Sequence, residues 1–377
     1  MATKRDSIFG SGPDSTFGSP IVYLIIAAAA LAIIGWTVAM FAVGGGDSST
    51  SAAQSSDEPA DTDPASGDSS AVGAGSQEHE EPAASGDAGG DYEGPPHEVL
   101  DASLAPALEG DVHEVTLEVE DKEIEVAEGQ WMNLWTFGGT VPGPVVRVKQ
   151  GDLVNFTLVN NGEQGHSMDF HAAEIAPNRA YATILPGESI NFQFEAKQPG
   201  VYMYHCATAP VLHHIGNGMY GMVIVEPEGP PRPPAREYFL VQSELYFGGQ
   251  GEVGDLAKMQ EKDADWVVFN GYADQYTAED ALVANPGELV RVYVLNVGPS
   301  LWSAFHVIGT IFDWTWQEGI VGGPAQTINI APSSGAIVEF SMEEEGVYPF
   351  VTHAFADASI GGIGQFIVGT PPEGAGH

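Results

Sequence analysis

An all-β fold made of two tandem β-sandwiches is what this sequence predicts, and three observations carry the prediction. From about residue 98 onward, short alternating apolar and polar runs are separated by Gly, Pro and Asn, as in Glu114–Glu120, Val145–Val148 and Leu153–Val159. The runs then recur: Gly-Asp-Leu-Val-Asn-Phe-Thr-Leu-Val-Asn from Gly151 is echoed by Gly-Glu-Leu-Val-Arg-Val-Tyr-Val-Leu-Asn from Gly287. A second pair, Pro186 leading to Gly200-Val-Tyr and Pro332 leading to Gly346-Val-Tyr, repeats in the same order, which marks a domain duplication. Helical periodicity is scarce, with Gly254–Lys262 and Ala278–Ala284 the only modest candidates.

Taken in order, residues 1–19 form a polar tail carrying Lys4 and Arg5. Residues 20–43 are apolar and contain no charge, long enough for a transmembrane helix. The apolar run is longer than the core of a cleaved signal peptide, so a retained anchor is expected. Its neighbourhood has no cysteine for lipid attachment. The basic residues lie on its N-terminal side, which places that tail in the cytoplasm and the rest outside. The expected location is therefore the cell membrane, single-pass, with the folded part extracytoplasmic. Residues 44–97 are rich in Gly, Ser, Ala and acids and hold no Lys or Arg, the composition of a disordered acidic linker. The two sandwiches are expected at 98–228 and 229–370, joined through the proline-rich stretch Pro227–Pro234, with a short tail at 371–377.

Charge restricts the partners. Fifty-two acidic residues against twelve basic ones give a formal net charge of −40. That argues against nucleic acid and against anionic membrane surfaces as ligands. The acids continue through the folded part, which reads as a surface adapted to high salt, where screening removes self-repulsion.

Cys206 is the only cysteine, so no disulfide and no two-cysteine metal or redox motif can form within one chain. It follows His205, and His213, His214 and Met219 come next. Thiolate, imidazole and thioether together are the donors of a blue-copper electron-transfer site. Upstream, His166 and His171 are five residues apart, an odd step that on an extended strand sends the two side chains to opposite faces. His205 and Cys206 diverge in the same way. If His166 pairs with Cys206, then His171 pairs with His205, and two metal sites back onto the same strands. The inner set is His166, Cys206, Met219 and either His214 or His213, between which spacing does not choose. The outer set is His171 and His205 with a third ligand, for which His353 in the second repeat stands at the strand corresponding to that of Cys206. Three histidines with an open position suit a catalytic metal. Asp169 shares the outer face with His171 by alternation, and His306 is a candidate second proton donor. A single peptide unit would link the two metal shells, giving an electron a short route from Cys206 to His205.

These residues resemble the copper-containing nitrite reductases. The resemblance spans about 98 to 370 and rests on His-x-x-Asp-x-His at 166–171, Tyr204-His-Cys-Ala, His214-Ile-Gly-Asn-Gly-Met219, Phe305-His-Val-Ile-Gly and His353. It implies two tandem cupredoxin-like Greek-key β-sandwich domains and two coppers per subunit. The step from Cys206 to His214 resembles the branch with the shorter ligand loop, which favours His214 over His213. By this resemblance His166, Cys206, His214 and Met219 hold the type 1 copper, where the electron enters. His171, His205 and His353 hold the type 2 copper, with His353 from a neighbouring subunit of a homotrimer. Asp169 and His306 deliver the protons for a dissimilatory one-electron reduction of nitrite to nitric oxide and water. The electron donor implied is a small cupredoxin or a c-type cytochrome.

Two alternatives remain open from the sequence. A membrane-tethered blue-copper carrier without catalysis would leave His171, His205, Asp169, His306 and His353 without a role. A multicopper oxidase would need paired His-x-His motifs and a histidine after the cysteine. This chain has no His-x-His, and Ala207 follows Cys206.

Overall fold

The computed structural model describes residues 92–370; the tail expected at 1–19, the anchor expected at 20–43, most of the expected linker at 44–97 and the tail at 371–377 lie outside the described residues. Among the described residues the protein is all-β. Residues 112–226 supply two four-stranded sheets. One has the order β2 (Gln130–Phe137), β1 (Val112–Ala127), β4 (Leu153–Asn160), β6 (Ser189–Glu195). The other has the order β3 (Gly143–Lys149), β8 (Tyr220–Glu226), β7 (Gly200–His205), β5 (Asp169–Phe170). Residues 236–368 repeat this plan. Strands β10 (Trp266–Phe269), β9 (Arg236–Leu245), β12 (Leu289–Gly298) and β17 (Ser334–Ser341) form one sheet, extended by β14 (Trp314–Gln317) and β15 (Ile320–Gly322). Facing them are β11 (Leu282–Ala284), β19 (Ile363–Val368), β18 (Gly346–Thr352), β13 (Ser303–Val307) and β16 (Ile328–Ile330). The repeat extends to register: β1 and β4 pair parallel as β9 and β12 do, and the next pair in each sheet is antiparallel.

The burial pattern explains why these segments are strands. In β4, Val154, Phe156 and Leu158 are buried, while Asn155 and Thr157 between them are partly open, the period-two signature of a half-buried strand. In β8 every residue from Tyr220 to Val225 is buried. Val223 and Val225 belong to the core between the two sheets of the first sandwich. Tyr220, Met222 and Ile224 belong to a separate cluster with Phe239, Val241, Tyr293, Leu295 and Ile337 of the second sandwich. A continuous apolar run therefore marks the strand sandwiched between two cores.

A charged cluster closes the same junction. Arg147 pairs with Glu226 at 2.6 Å and Glu237 at 2.8 Å, and Arg291 pairs with Glu237 at 2.7 Å and Glu339 at 2.6 Å. The Arg291 side chain is only 3% exposed, so its charge depends on these partners.

Among the described residues, four short helices interrupt the strands: α1 (Pro177–Ala180), α2 (Val211–Gly216), α3 (Leu256–Glu261) and α4 (Phe355–Ala358). The helix expected at Gly254–Lys262 is α3, capped by the Asp255 carboxylate accepting from the Ala257 and Lys258 amides. At Ala278–Ala284 the helix is cut to a 3-10 turn at Ala278–Asp280, because Leu282–Ala284 pairs parallel with β19 instead.

One premise about the site strand needs correction. Residues 166–171 are not one extended strand: only Asp169 and Phe170 pair with β7. His166 instead bridges Ile184, donating to its carbonyl at 3.0 Å and accepting from its amide at 2.8 Å. The hydrogen bonds of His166 are spent on a different segment, so strict alternation does not run through the motif.

Candidate metal centre

Strand β7 ends in His205, and Cys206 follows it. The preceding residue, Tyr204, anchors this end of the strand by donating its hydroxyl to the Pro144 carbonyl at 2.8 Å. Two glycines make room for that buried ring. A Cβ at Gly221 would stand 2.2 Å from it, and one at Gly143 would stand 2.5 Å from its hydroxyl oxygen.

The Cys206 sulfur lies 3.3 Å from Nδ1 of His214 and 3.9 Å from Nδ1 of His166, and the two ring nitrogens are 3.3 Å apart. All three residues are buried. The backbone locks the group: the Met219 amide donates to the His214 carbonyl at 3.1 Å, and the Cys206 amide to the Met219 carbonyl at 3.1 Å. Gly218, with φ +103, makes the turn that returns the chain from α2 to Met219, and a Cβ there would meet Val141 at 2.8 Å. Met219 is fully buried in the same core cluster as Cys206.

His213 points elsewhere. Its Nε2 donates to the Gly254 carbonyl at 2.9 Å, and its ring packs edge-on against Trp135. Trp135 also covers His214 and His166, with ring centroids 4.8 and 5.8 Å away, and so walls the cluster from water.

Burial holds both inner histidines neutral. The His166 pKa is pulled down to about 4 by desolvation, only partly opposed by Asp121. That of His214 is pulled to about 4 by desolvation first, then by His166 and His213. Nε2 of His166 is buried without a hydrogen-bond partner. A sulfur and two neutral ring nitrogens converging in an apolar wall fit a soft cation held by thiolate and imidazole.

The second cluster lies on the other side of the same residues. Nε2 of His171 and Nε2 of His205 are 3.1 Å apart, and Asp169 brings a carboxylate oxygen to 3.9 Å from His205 Nε2. The His205 Nδ1 faces the Cys206 carbonyl at 2.8 Å. A carbonyl only accepts, so Nδ1 carries the proton and Nε2 keeps its lone pair toward the cluster. Desolvation and then the neighbouring His205 lower the His171 pKa, against the pull of Asp169. These three residues, and the three around Cys206, are the metal-capable clusters among the described residues.

His353 belongs to neither cluster. It lies exposed at the end of β18 against His306, with ring centroids 5.7 Å apart, and against Phe355 at 4.6 Å. His306 directs Nδ1 at the Gln326 carbonyl, which by the same argument leaves Nε2 as its free nitrogen. Within one chain the structure thus brings together two of the three expected outer ligands and leaves the third beside the second candidate proton donor.

Several residues of this neighbourhood carry no signal of their own in the sequence. Trp135 looks like any core aromatic of an alternating strand. Tyr181 follows α1, and its hydroxyl faces the Asp169 carboxylate; its pKa is raised by burial first and by Asp169 second. Ser167 donates its amide to the Cys206 sulfur at 3.4 Å and was visible only as a filler position in the 166–171 motif.

The chain is similar to known copper proteins over the same region. A family model described as multicopper oxidase matches residues 118–230. The copper-containing nitrite reductase of Neisseria gonorrhoeae is 40% identical over 280 residues, which cover 70% of this chain and 71% of that protein. Among solved structures, a copper nitrite reductase from Nitrosomonas europaea superposes with a TM-score of 0.65 at 37% identity, covering 71% of this chain and 97% of that one. A multicopper oxidase structure gives a TM-score of 0.62 at 27% identity, covering 71% of this chain and 94% of its own.

Proposed function

The chain belongs to the copper-containing nitrite reductase family, and on that premise we propose that it takes nitrite, one electron and two protons to nitric oxide and water. The carrying observation is the pair of donor clusters on either side of the single peptide bond between His205 and Cys206. We assign the electron-entry copper to His166, Cys206, His214 and Met219, and the catalytic copper to His171, His205 and His353. Copper held there would supply one-electron chemistry at the thiolate set and a Lewis acid at the histidine set.

The remaining work falls to the chain's own groups. The Cys206 carbonyl holds the His205 Nδ1 proton, so Nε2 would be the nitrogen that holds the catalytic copper. The covalent path from Cys206 sulfur to His205 ring is the short electron route between the sets. Asp169, half-buried beside His205, is placed to give a proton to a nitrite oxygen. His306 gives the second: its Nδ1 is committed to Gln326, so a proton taken up at Nε2 is the one it can release.

His353 reaches the outer set from a neighbouring copy in this reading. The support is the surface that would have to meet that copy. Phe355, which packs on His353, and Trp302 and Ile311, which flank strand β13 carrying His306, are each more than half exposed. Apolar side chains of that size in the open mark an interaction face. The assembly in this reading is a homotrimer with the catalytic copper between subunits, as the family resemblance implies. The sandwich boundaries at 98–228 and 229–370, the membrane anchor at 20–43 with an extracytoplasmic enzyme, the high-salt surface and a small cupredoxin or cytochrome c donor complete the proposal.

The oxidase reading, which the family model and one structural neighbour raise, lacks its ligands: there is no His-x-His in the sequence, and Ala207 stands where a histidine would follow the cysteine. The test is nitrite-dependent nitric oxide release by the copper-loaded full chain. His353→Ala should abolish it, and undiminished release from that variant would refute the catalytic assignment.

A further inference from the structure

Ser167 does more than fill the position after His166. It is fully buried, and three groups surround its hydroxyl oxygen or amide. The Ala207 amide donates to Oγ at 3.1 Å, and the Thr208 hydroxyl donates to Oγ at 3.0 Å. The Cys206 sulfur lies 3.4 Å from the Ser167 amide nitrogen and 3.9 Å from Oγ. Beyond Thr208, the hydroxyl of exposed Thr183 is 3.0 Å from that of Thr208.

The valence of a hydroxyl gives this chain a direction. Each hydroxyl has one proton to donate and two lone pairs to accept with. Both lone pairs of Ser167 Oγ are occupied, by the Ala207 amide and the Thr208 hydroxyl. Its own proton has one remaining partner, the Cys206 sulfur. The Thr208 proton is committed to Ser167, so between the two threonines Thr183 is the donor. Every proton in the series therefore points from the surface toward the sulfur.

The fold holds the series in register. His166 and Ile184 exchange backbone hydrogen bonds at 3.0 and 2.8 Å, which sets their neighbours Ser167 and Thr183 side by side. Gly165 leaves the space Thr183 needs: a Cβ there would lie 2.8 Å from the threonine methyl.

We propose that Thr183, Thr208 and Ser167 form a directional hydroxyl relay that keeps a second hydrogen-bond donor on the Cys206 sulfur and thereby sets the reduction potential of the electron-entry site. The proposal rests on the assignment of copper to that site. A donor on the thiolate withdraws charge from the sulfur and favours the reduced, less positive metal, so the relay holds the potential high. Ser167 is a positioning and tuning residue here and touches no substrate.

The test uses the copper-loaded full chain and reads its midpoint potential and its sulfur-to-copper visible band. Ser167→Ala should lower the potential by about 59 mV, a tenfold change in the reduced-to-oxidised ratio for one electron, and shift the band. Ser167→Thr, which restores the hydroxyl, should return the potential toward that of the unaltered protein. Thr208→Val, equal in volume, should move it in the same direction as Ser167→Ala by a smaller amount, and it decides the question if Ser167→Ala does not fold. An unchanged or raised potential in Ser167→Ala or Thr208→Val, with the band intact, overturns the relay. Absence of the band from the unaltered copper-loaded protein overturns the copper assignment itself, and the relay with it.

Discussion

Stripped of metal, the protein should lose stability as the pH falls from 6.5 toward 4, with His166 and His214 as the main cause. Both are buried, and both have folded-state pKa values pulled down to about 4. An unfolded histidine titrates near its ordinary value of about 6.5. Between these values the unfolded chain binds protons that the folded chain refuses. Stability present above pH 6.5 is therefore lost as the pH falls and levels off below about 4. Linkage puts the loss at about 2 kcal/mol per histidine by pH 5, or about 4 kcal/mol for the pair. That is a large part of the about 5–15 kcal/mol that holds a typical protein folded. The assay is denaturant unfolding of chelator-treated protein at pH 7, 6 and 5 and constant salt, beside a His166→Gln, His214→Gln double variant that cannot titrate there. The unaltered chain should lose about 4 kcal/mol more than the variant between pH 7 and 5. Parallel profiles would show that these rings take up protons freely in the folded state, and the picture of a pre-formed neutral donor pocket would fail.

Other outcomes follow from the same geometry. Asp169→Asn should cut nitrite turnover by about 10²–10⁴ while both coppers stay bound; loss of one copper would make Asp169 a ligand instead of a proton donor. His205→Ala and His353→Ala should each be inactive, yet subunits of the two mixed one to one should regain about a quarter of the activity, since random pairing joins the intact halves at about one interface in four. Zero recovery would place His353 in the site of its own chain. Arg291→Ala should cost about 3–5 kcal/mol in denaturant unfolding, because Glu237 and Glu339 would be left charged at the junction between the sandwiches, and a cost near zero would mean that the cluster is solvated.

The β texture was legible because β4 alternates and because β12 repeats its sequence run, although β12 is buried on both faces where β4 is half open. The duplication was legible too, and the sheet orders repeat with it. Short helices were not. Helix α2 has six residues, less than two turns, so Val211–Gly216 shows no periodicity although it carries His214. Spacing could not choose between His213 and His214, because the deciding contact is with the Gly254 carbonyl on a distant loop. The parity argument for His166 and His171 assumed a continuous strand that does not exist. The side chains of 166 and 171 still diverge, because His166 is tied to Ile184 while Asp169 and Phe170 pair with β7. The relay through Thr183 and Thr208 joins three segments with no motif in common, and only the folded chain brings them together.

Two different copper sites are proposed on the two sides of His205-Cys206, the outer one completed by a neighbouring copy. Copper content of the purified, reconstituted full chain tests this directly. Two coppers per chain are predicted, with Cys206→Ala keeping one and losing the intense visible colour. A single copper in the unaltered protein, lost entirely with Cys206→Ala, would make the protein an electron carrier instead of a reductase.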